Sequence, residues 1–172
     1  MRKHDSWSGD TVAGKDRITA YVDGSFAVDT GVYSFGCVFL PEDGTVRVLC
    51  GSGNDPENAK QRNVTGEMLG SMNAVLCAIK SGYKAIDIYY DYQGIEAWVT
   101  GAWKSKNDLT RSYAMAMKGW MSRIDISFHK VEAHTGVKYN EIADKMAKRG
   151  AGKVGIPETR SIEDMEIWTQ EK

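Results

Sequence analysis

The spacing of apolar residues changes along the chain between the period of a strand and the period of a helix, and this order is compatible with few folds. Residues 17–22, 32–40 and 45–50 are apolar or alternating runs rich in β-branched and aromatic residues, which predicts three consecutive strands. Asp23-Gly24-Ser25 and Pro41-Glu42-Asp43-Gly44 have the composition of turns. We therefore expect the first three strands to form an antiparallel meander.

The second part of the chain alternates between helical and strand-like segments. A helix is predicted after a loop over residues 51–65; its apolar face consists of Met68, Leu69, Met72, Val75, Leu76 and Ile79. Residues 85–90 and 124–131 predict two further strands. Between them we expect a short helix that ends at Gly101 and a longer one over residues 109–120, and a last helix over residues 139–149. This order predicts an α/β fold with a five-stranded mixed sheet flanked by helices.

Length and composition favour one domain. The chain has 172 residues, of which 42% are hydrophobic and 26% are charged, so it can bury a core without disulfides. We assign residues 17–152 to this domain, residues 1–16 to a flexible leader and residues 153–172 to a C-terminal tail. The sequence has neither an apolar stretch of the ~20 residues that a membrane helix needs nor a secretory apolar region at its start. We expect a cytoplasmic protein, and a monomer.

Cysteine usage and charge narrow the possible functions. Cys37, Cys50 and Cys77 are widely spaced among apolar neighbours, which is typical of buried reduced thiols. The net charge of −1 argues against a generally basic nucleic-acid binder. Residues 98–123, however, contain five basic residues and one acidic residue. That stretch predicts a local basic surface.

Four acidic residues lie at or near predicted element ends. Asp23 follows the first strand, Asp91 follows the fourth, and Glu67 and Asp144 lie in the first turns of the first and last helices. Taken singly, a turn aspartate and acids near helix starts have ordinary structural explanations. Gathered at one site, four carboxylates would repel one another unless a cation lay among them. Oxygen ligands without a histidine or cysteine cluster favour Mg²⁺ or Mn²⁺ over zinc.

Five short motifs contain these acids or flank them. They are Tyr21-Val22-Asp23-Gly24-Ser25, Asn63-Val64-Thr65-Gly66-Glu67-Met68, Tyr89-Tyr90-Asp91-Tyr92-Gln93, Val131-Glu132-Ala133-His134 and Asn140-Glu141-Ile142-Ala143-Asp144. In this order, over about residues 17–150, they resemble the motifs of type 1 ribonucleases H. The resemblance implies a ribonuclease H-like fold and an endonuclease that hydrolyses the RNA strand of RNA–DNA hybrids. It also implies that the four acids hold two Mg²⁺ ions, with Mn²⁺ as a substitute, and that the products carry 5′-phosphate and 3′-hydroxyl ends.

The resemblance implies roles for residues around the acids. His134, in a small polar loop, would transfer a proton or help product and metal to leave, so we count it with the acids as catalytic. Contacts to the RNA strand, partly through its 2′-hydroxyl groups, are expected from Gly24, Ser25, Asn63, Gln93 and Asn140. For Asn63 and Gln93 the alternative explanation is capping of a helix start.

Contacts to the DNA strand are expected from the basic stretch. Trp103 would pack against the strand beside Lys104 and Lys106. Between Trp103 and Leu109 the chain has only five residues, so it is a short form without the extended basic protrusion of some relatives. Arg62 stands where many relatives use threonine to hold a DNA phosphate, which predicts that charge anchors the phosphate here.

Three alternatives remain. A transposase-like or integrase-like core of the same superfamily has fewer and differently ordered acids, so the order Asp-Glu-Asp-Asp with His134 before Asp144 disfavours it. A catalytically silent hybrid-binding module would lack one of the acids, and none is missing. In a purely structural α/β domain the acid positions would be coincidental.

Overall fold

The computed structural model describes residues 16–41, 46–132 and 138–151. Its strands are β1 (Arg17–Ala27), β2 (Val32–Leu40), β3 (Arg47–Gly53), β4 (Ala85–Tyr90) and β5 (Asp125–Lys130). Its α-helices are α1 (Asn63–Lys80), α2 (Gly94–Thr100), α3 (Asp108–Trp120) and α4 (Lys138–Ala151), and a turn of 3-10 helix spans Asn58–Gln61. The predicted order of elements is confirmed.

The five strands form one mixed sheet in the order β3-β2-β1-β4-β5. β1 pairs antiparallel with β2, and β2 with β3, which confirms the meander. β4 is parallel to β1, and β5 is parallel to β4. Tyr21 of β1 lies beside Tyr89 of β4, and the two strands are parallel. The residues that follow these two tyrosines therefore lie next to each other, where β4 ends. The predicted fold class is therefore confirmed.

The predicted turn at Asp23-Gly24-Ser25 is wrong. β1 continues through these residues and stays paired with β2 as far as Ala27 and Val32. The chain turns instead at residues 28–31, where Gly31 has a φ of 72°. Local composition favoured a turn because glycine is rare inside strands. The ladder to β2 outweighs that preference, and glycine at position 24 has a packing role described below.

The two faces of the sheet pack against different helices. Alternate residues of β1, including Ile18 and Val22, join Met68 of α1 in the larger core cluster. On the opposite face, Met146 of α4 joins Val48 of β3 in a smaller cluster. The sheet is therefore a layer between α1 on one side and α4 on the other, and both helices reach β1 and β2.

The structure also shows where the cysteines and two of the tryptophans lie. The three cysteines are buried thiols, as predicted. Trp98 and Trp120, predicted as core residues, are half-buried against the larger core cluster. In the part of the chain that the structure describes, every helix is too short or too polar to cross a membrane.

Candidate active site

Asp23 and Asp91 are brought together by two parallel strands. Asp23 lies within β1 and points to the face opposite Val22, because neighbouring residues of a strand alternate. Asp91 directly follows β4, the parallel neighbour of β1. Both border a cavity of about 140 Å³. Its lining residues are Asp23, Gly24, Asn63, Asp91, Asn140, Glu141 and Asp144.

Glu67, in the second turn of α1, lies beside Asp91. It is 3% exposed. Its carboxylate accepts hydrogen bonds from the backbone N–H groups of Asp91, at 2.6 Å, and Tyr92, at 3.3 Å. α1 comes this close to β1 because Gly24 has no side chain; a Cβ there would collide with the backbone of Asn63 and Glu67. The first turn of α1 contains no acid, so complementing the helix dipole does not explain Glu67.

Asp144 reaches the same cavity because α4 packs closely on β2. Gly36 of β2 lies opposite Asp23 in the sheet, and a Cβ on Gly36 would collide with the backbone of α4 at Ala147. The hydroxyl of Ser34, also on β2, donates a 2.6 Å hydrogen bond to the carbonyl of Ala147. These contacts set the distance between α4 and the sheet, and so bring Asp144 to Asp23.

Asn140 contributes an unusual polar group to the cavity. The residue is only 8% exposed. Among the described residues its side-chain oxygen Oδ1 has no hydrogen-bond partner. A buried polar atom without a partner costs free energy, so such atoms need a physical explanation, and a bound ligand or ion is one.

Crowding of carboxylates alters their acidity. The pKa of Asp23 is raised from 3.8 to about 7, first by burial and then by a hydrogen bond to Asp144. A backbone hydrogen bond from Gly24 lowers this pKa, whereas the charges of Asp144 and Asp91 raise it further. Burial raises the pKa of Glu67 from 4.5 to about 8, with the Asp91 backbone hydrogen bond opposing it and the charges of Asp23 and Asp91 adding to it. Without a cation, the site therefore retains protons near neutral pH.

The donor set fits a hard divalent cation. Four carboxylates border one cavity, those of Asp23, Asp91, Glu141 and Asp144, and Glu67 adjoins Asp91. Asn140, which also lines the cavity, has a buried side-chain oxygen without a partner among the described residues. All of these donors are oxygen atoms, which Mg²⁺ and Mn²⁺ prefer. Across residues 16–41, 46–132 and 138–151, however, no three acidic, histidine or cysteine side chains are already arranged as a metal site.

The residues predicted to contact RNA differ in their positions. Asn63 is exposed at the start of α1 and lines the cavity, whereas Gln93 is exposed just before α2 and lies outside the cavity lining. Neither helix start carries a side-chain capping hydrogen bond, so the capping explanation is not supported. Ser25 is half-buried in β1, opposite Ser34. The structure thus brings Gly24, Asn63 and Asn140 to the acids, and Gln93 only to their neighbourhood.

Arg62 has an unusual backbone at the start of α1. Its φ of 56° is the only positive φ of a non-glycine residue in the described part of the chain. That region is unfavourable for a residue with a Cβ. The guanidinium carbon lies 5.6 Å from the ring centre of Phe26, a cation–π contact that orients the side chain.

Trp103, Lys104 and Lys106 line a separate open groove of about 500 Å³. Tyr92 and Trp98 supply the rest of its aromatic wall, with ring centres 5.9 Å and 6.0 Å from that of Trp103. Tyr92 directly follows the acid at the end of β4, so the groove adjoins the acidic cavity. Trp98 thus has one side against the core and the other in this groove.

Comparison with known proteins decides the family. The model of the RNase H family matches residues 15–152. The chain belongs to the ribonuclease H family. One relative, ribonuclease H of Pseudoalteromonas translucida, is 30% identical over 147 residues, which cover 78% of this chain and 90% of the relative. Ribonuclease H of Rhizobium johnstonii is 28% identical over 144 residues, covering 77% and 90%.

Solved structures agree with this assignment. RNase H1 from the halophilic archaeon Halobacterium salinarum superposes with a TM-score of 0.62 at 26% identity, covering 78% of this chain and 96% of that one. LC11-RNase H1, solved in complex with an RNA/DNA hybrid, has a TM-score of 0.61 at 15% identity, covering 77% and 97%, and shows likeness of fold alone. The predicted similarity to type 1 ribonucleases H is confirmed, and it supports a nuclease.

Sequence reasoning about this ribonuclease H overlooked two residues. Glu141 lines the cavity beside Asn140. Lys148 lies with its Nζ 3.0 Å from Oδ2 of Asp144. The signal for Lys148 was present, because an acid and a lysine four residues apart on a helix face each other. His134 lies outside the described residues, so its role stays a prediction.

Proposed function

We propose that this ribonuclease H hydrolyses the RNA strand of RNA–DNA hybrids with two divalent metal ions, and leaves 5′-phosphate and 3′-hydroxyl ends. The observation that carries the proposal is the meeting of Asp23, Asp91 and Asp144 at one cavity, with Glu67 bonded to the backbone of Asp91. The ribonuclease H family match supports the same reaction class.

The four acids are the residues that would hold Mg²⁺, or Mn²⁺ as a substitute. Bound divalent ions would supply Lewis-acid stabilisation of the attacking and leaving oxygens of an in-line displacement. Asp23 and Asp144, which share a hydrogen bond, would give up their proton to become ligands. Glu67 is oriented by two backbone N–H groups, so its carboxylate is fixed before substrate arrives.

Selectivity for a hybrid would come from contacts to the RNA sugar. Only RNA offers a 2′-hydroxyl group, and proteins contact it through the shallow minor groove. Asn63 and Asn140 line the cavity beside the acids. Gly24, which has no side chain, lets the backbone of α1 lie close to β1 at the same place. Ser25 and Gln93 lie nearby along the chain. LC11-RNase H1, a neighbour in fold, was solved with an RNA/DNA hybrid, which supports this type of partner.

The DNA strand would follow the groove of Trp103, Lys104 and Lys106. This groove adjoins the cavity and combines aromatic surface with two ammonium groups, which suits sugars and phosphates. Arg62, held over Phe26 beside α1, is the candidate anchor for one phosphate. A cytoplasmic location and a monomeric state stay predictions from the sequence.

The test is cleavage of a labelled RNA–DNA hybrid with Mg²⁺ or Mn²⁺, beside duplex DNA, duplex RNA and single-stranded RNA. Only the RNA of the hybrid should be cut. Asp23→Asn should abolish cleavage while hybrid binding is retained, whereas Asp29→Asn, an exposed turn residue, should leave the rate unchanged. An intact hybrid after long incubation with either ion would refute the proposal.

A further inference from the structure

Lys148 contacts Asp144, one of the acids that line the cavity, and the proposed reaction assigns it no role. Its Nζ lies 3.0 Å from Oδ2 of Asp144, four residues earlier on α4. Within the described ranges, no other basic side chain forms an ion pair with Asp23, Glu67, Asp91 or Asp144. Among the residues that the structure describes, Lys148 is therefore the positive charge that contacts this cluster directly.

The pair can form and separate without rearrangement of α4. The Lys148 side chain is 68% exposed and that of Asp144 is 33% exposed. An acid placed four residues before a lysine is the favourable order on a helix, so the contact needs no ligand. Because the ammonium is carried on a flexible four-carbon stem, it can turn to solvent when a competitor arrives.

A divalent ion is such a competitor. Asp144 lies between Lys148 on its outer side and Asp23 at the cavity, and Asp23 shares a hydrogen bond with it. In the absence of a metal ion, the ammonium offsets part of the repulsion within the cluster. A cation that binds the Asp144 carboxylate meets this like charge, so the ion pair must weaken as the ion enters.

We propose that Lys148 is a positioning residue that holds Asp144 in the metal-free protein and releases it to a divalent ion. The inference rests on the proposed metal-dependent function. While the pair persists, it lowers the affinity for metal. The released ammonium stays at the rim of the cavity, where a phosphate of bound nucleic acid is a new partner for it. Metal binding and hybrid binding then strengthen each other reciprocally.

The experiment is a Mn²⁺ titration of the full chain without nucleic acid, followed by electron paramagnetic resonance of the free ion. Lys148→Gln should bind Mn²⁺ about two- to fivefold more tightly than Lys145→Gln, the range that an exposed ion pair supports. Lys145 is the matched control: it is exposed and adjoins Asp144 in sequence, but adjacent residues of a helix do not face each other. Lys148→Arg should keep the affinity of the unchanged chain, since arginine can restore the pair.

A second set of variants separates this role from the alternatives. In an Asp144→Asn background the difference between Lys148→Gln and Lys145→Gln should vanish. Equal Mn²⁺ affinities of the two glutamine variants would overturn the proposal, as would a difference that persists without the Asp144 carboxylate. So would a Lys148→Gln variant that only melts earlier in EDTA, because that indicates a role in helix stability. Mn²⁺ binding that Asp23→Asn does not weaken would instead refute the proposed metal site.

Discussion

Asp23→Asn should stabilise the metal-free protein at the same time as it abolishes activity. Asp23 is mostly buried beside Asp144 and Asp91, and its pKa is raised to about 7. A carboxyl whose folded pKa is raised contributes its full stability below the unfolded pKa of 3.8, and this stability is lost as the pH rises from there to the folded pKa of about 7. Above about pH 7 the folded protein must keep an ionised group that water would solvate better.

The magnitude follows from the two pKa values of Asp23. Ionising a group with a folded pKa of about 7 instead of 3.8 costs up to ~4 kcal/mol above neutral pH. Water that enters the cavity and movement of Asp144 relieve part of this cost, so we expect Asn to stabilise by ~1–3 kcal/mol. For a domain of this size that corresponds to a rise in Tm of roughly 3–10 °C.

Thermal unfolding followed by circular dichroism in EDTA measures this effect. The gain of Asp23→Asn should be small near about pH 4, grow up to about pH 7 and be largest near about pH 8, so its value near about pH 5 should be less than half of that near about pH 8. Mg²⁺ should reduce the gain by stabilising the unchanged protein. Asp29→Asn, on an exposed turn, is the control and should show no such trend. An equal gain at both pH values, or none near pH 8, would refute the electrostatic reasoning.

Four further variants test the packing and the predicted contacts. Gly36→Ala should destabilise by ~1–3 kcal/mol and slow cleavage, because its methyl group pushes α4 from β2. Gly119→Ala, with open space around it in α3, should instead stabilise by ~0.5–1 kcal/mol in the same thermal unfolding assay. The double variant Lys104→Ala, Lys106→Ala should weaken hybrid binding and make the slope of log affinity against log salt concentration shallower by about one or two. An unaltered slope would show that neither lysine contacts the DNA strand. His134→Ala should slow turnover without abolishing it, and unchanged steady-state rates would contradict its predicted role.

Elements with a strong apolar period were predicted almost to the residue. The strand predicted over residues 85–90 is Ala85–Tyr90, and the helix predicted over residues 109–120 is Asp108–Trp120. The helix buries one face and the strand buries most of its residues. In both segments the local apolar pattern therefore agrees with the tertiary environment. The end of β3 and the start of α1 shifted by two or three residues from their predicted places, because polar and small residues there carry no period.

The error at Asp23-Gly24-Ser25 shows where local reasoning stops. Glycine after an aspartate is an ordinary turn signal. In the fold, Gly24 is a strand residue whose missing side chain lets α1 lie against β1. No feature within a few residues of position 24 reveals that contact, because the partner backbone at Asn63 and Glu67 is about forty residues away in sequence.

The sequence by itself determined the α/β class and the order of the strands and helices, and the order of the motifs singled out the four acids as candidate site residues. Only the tertiary structure decided how close the acids come, since that distance is set by Gly24 under α1 and Gly36 under α4. The same packing buries Asp23 and Glu67 and raises their pKa values. Acidity and metal affinity depend on distances and solvation, and these arise only when segments remote in sequence pack together.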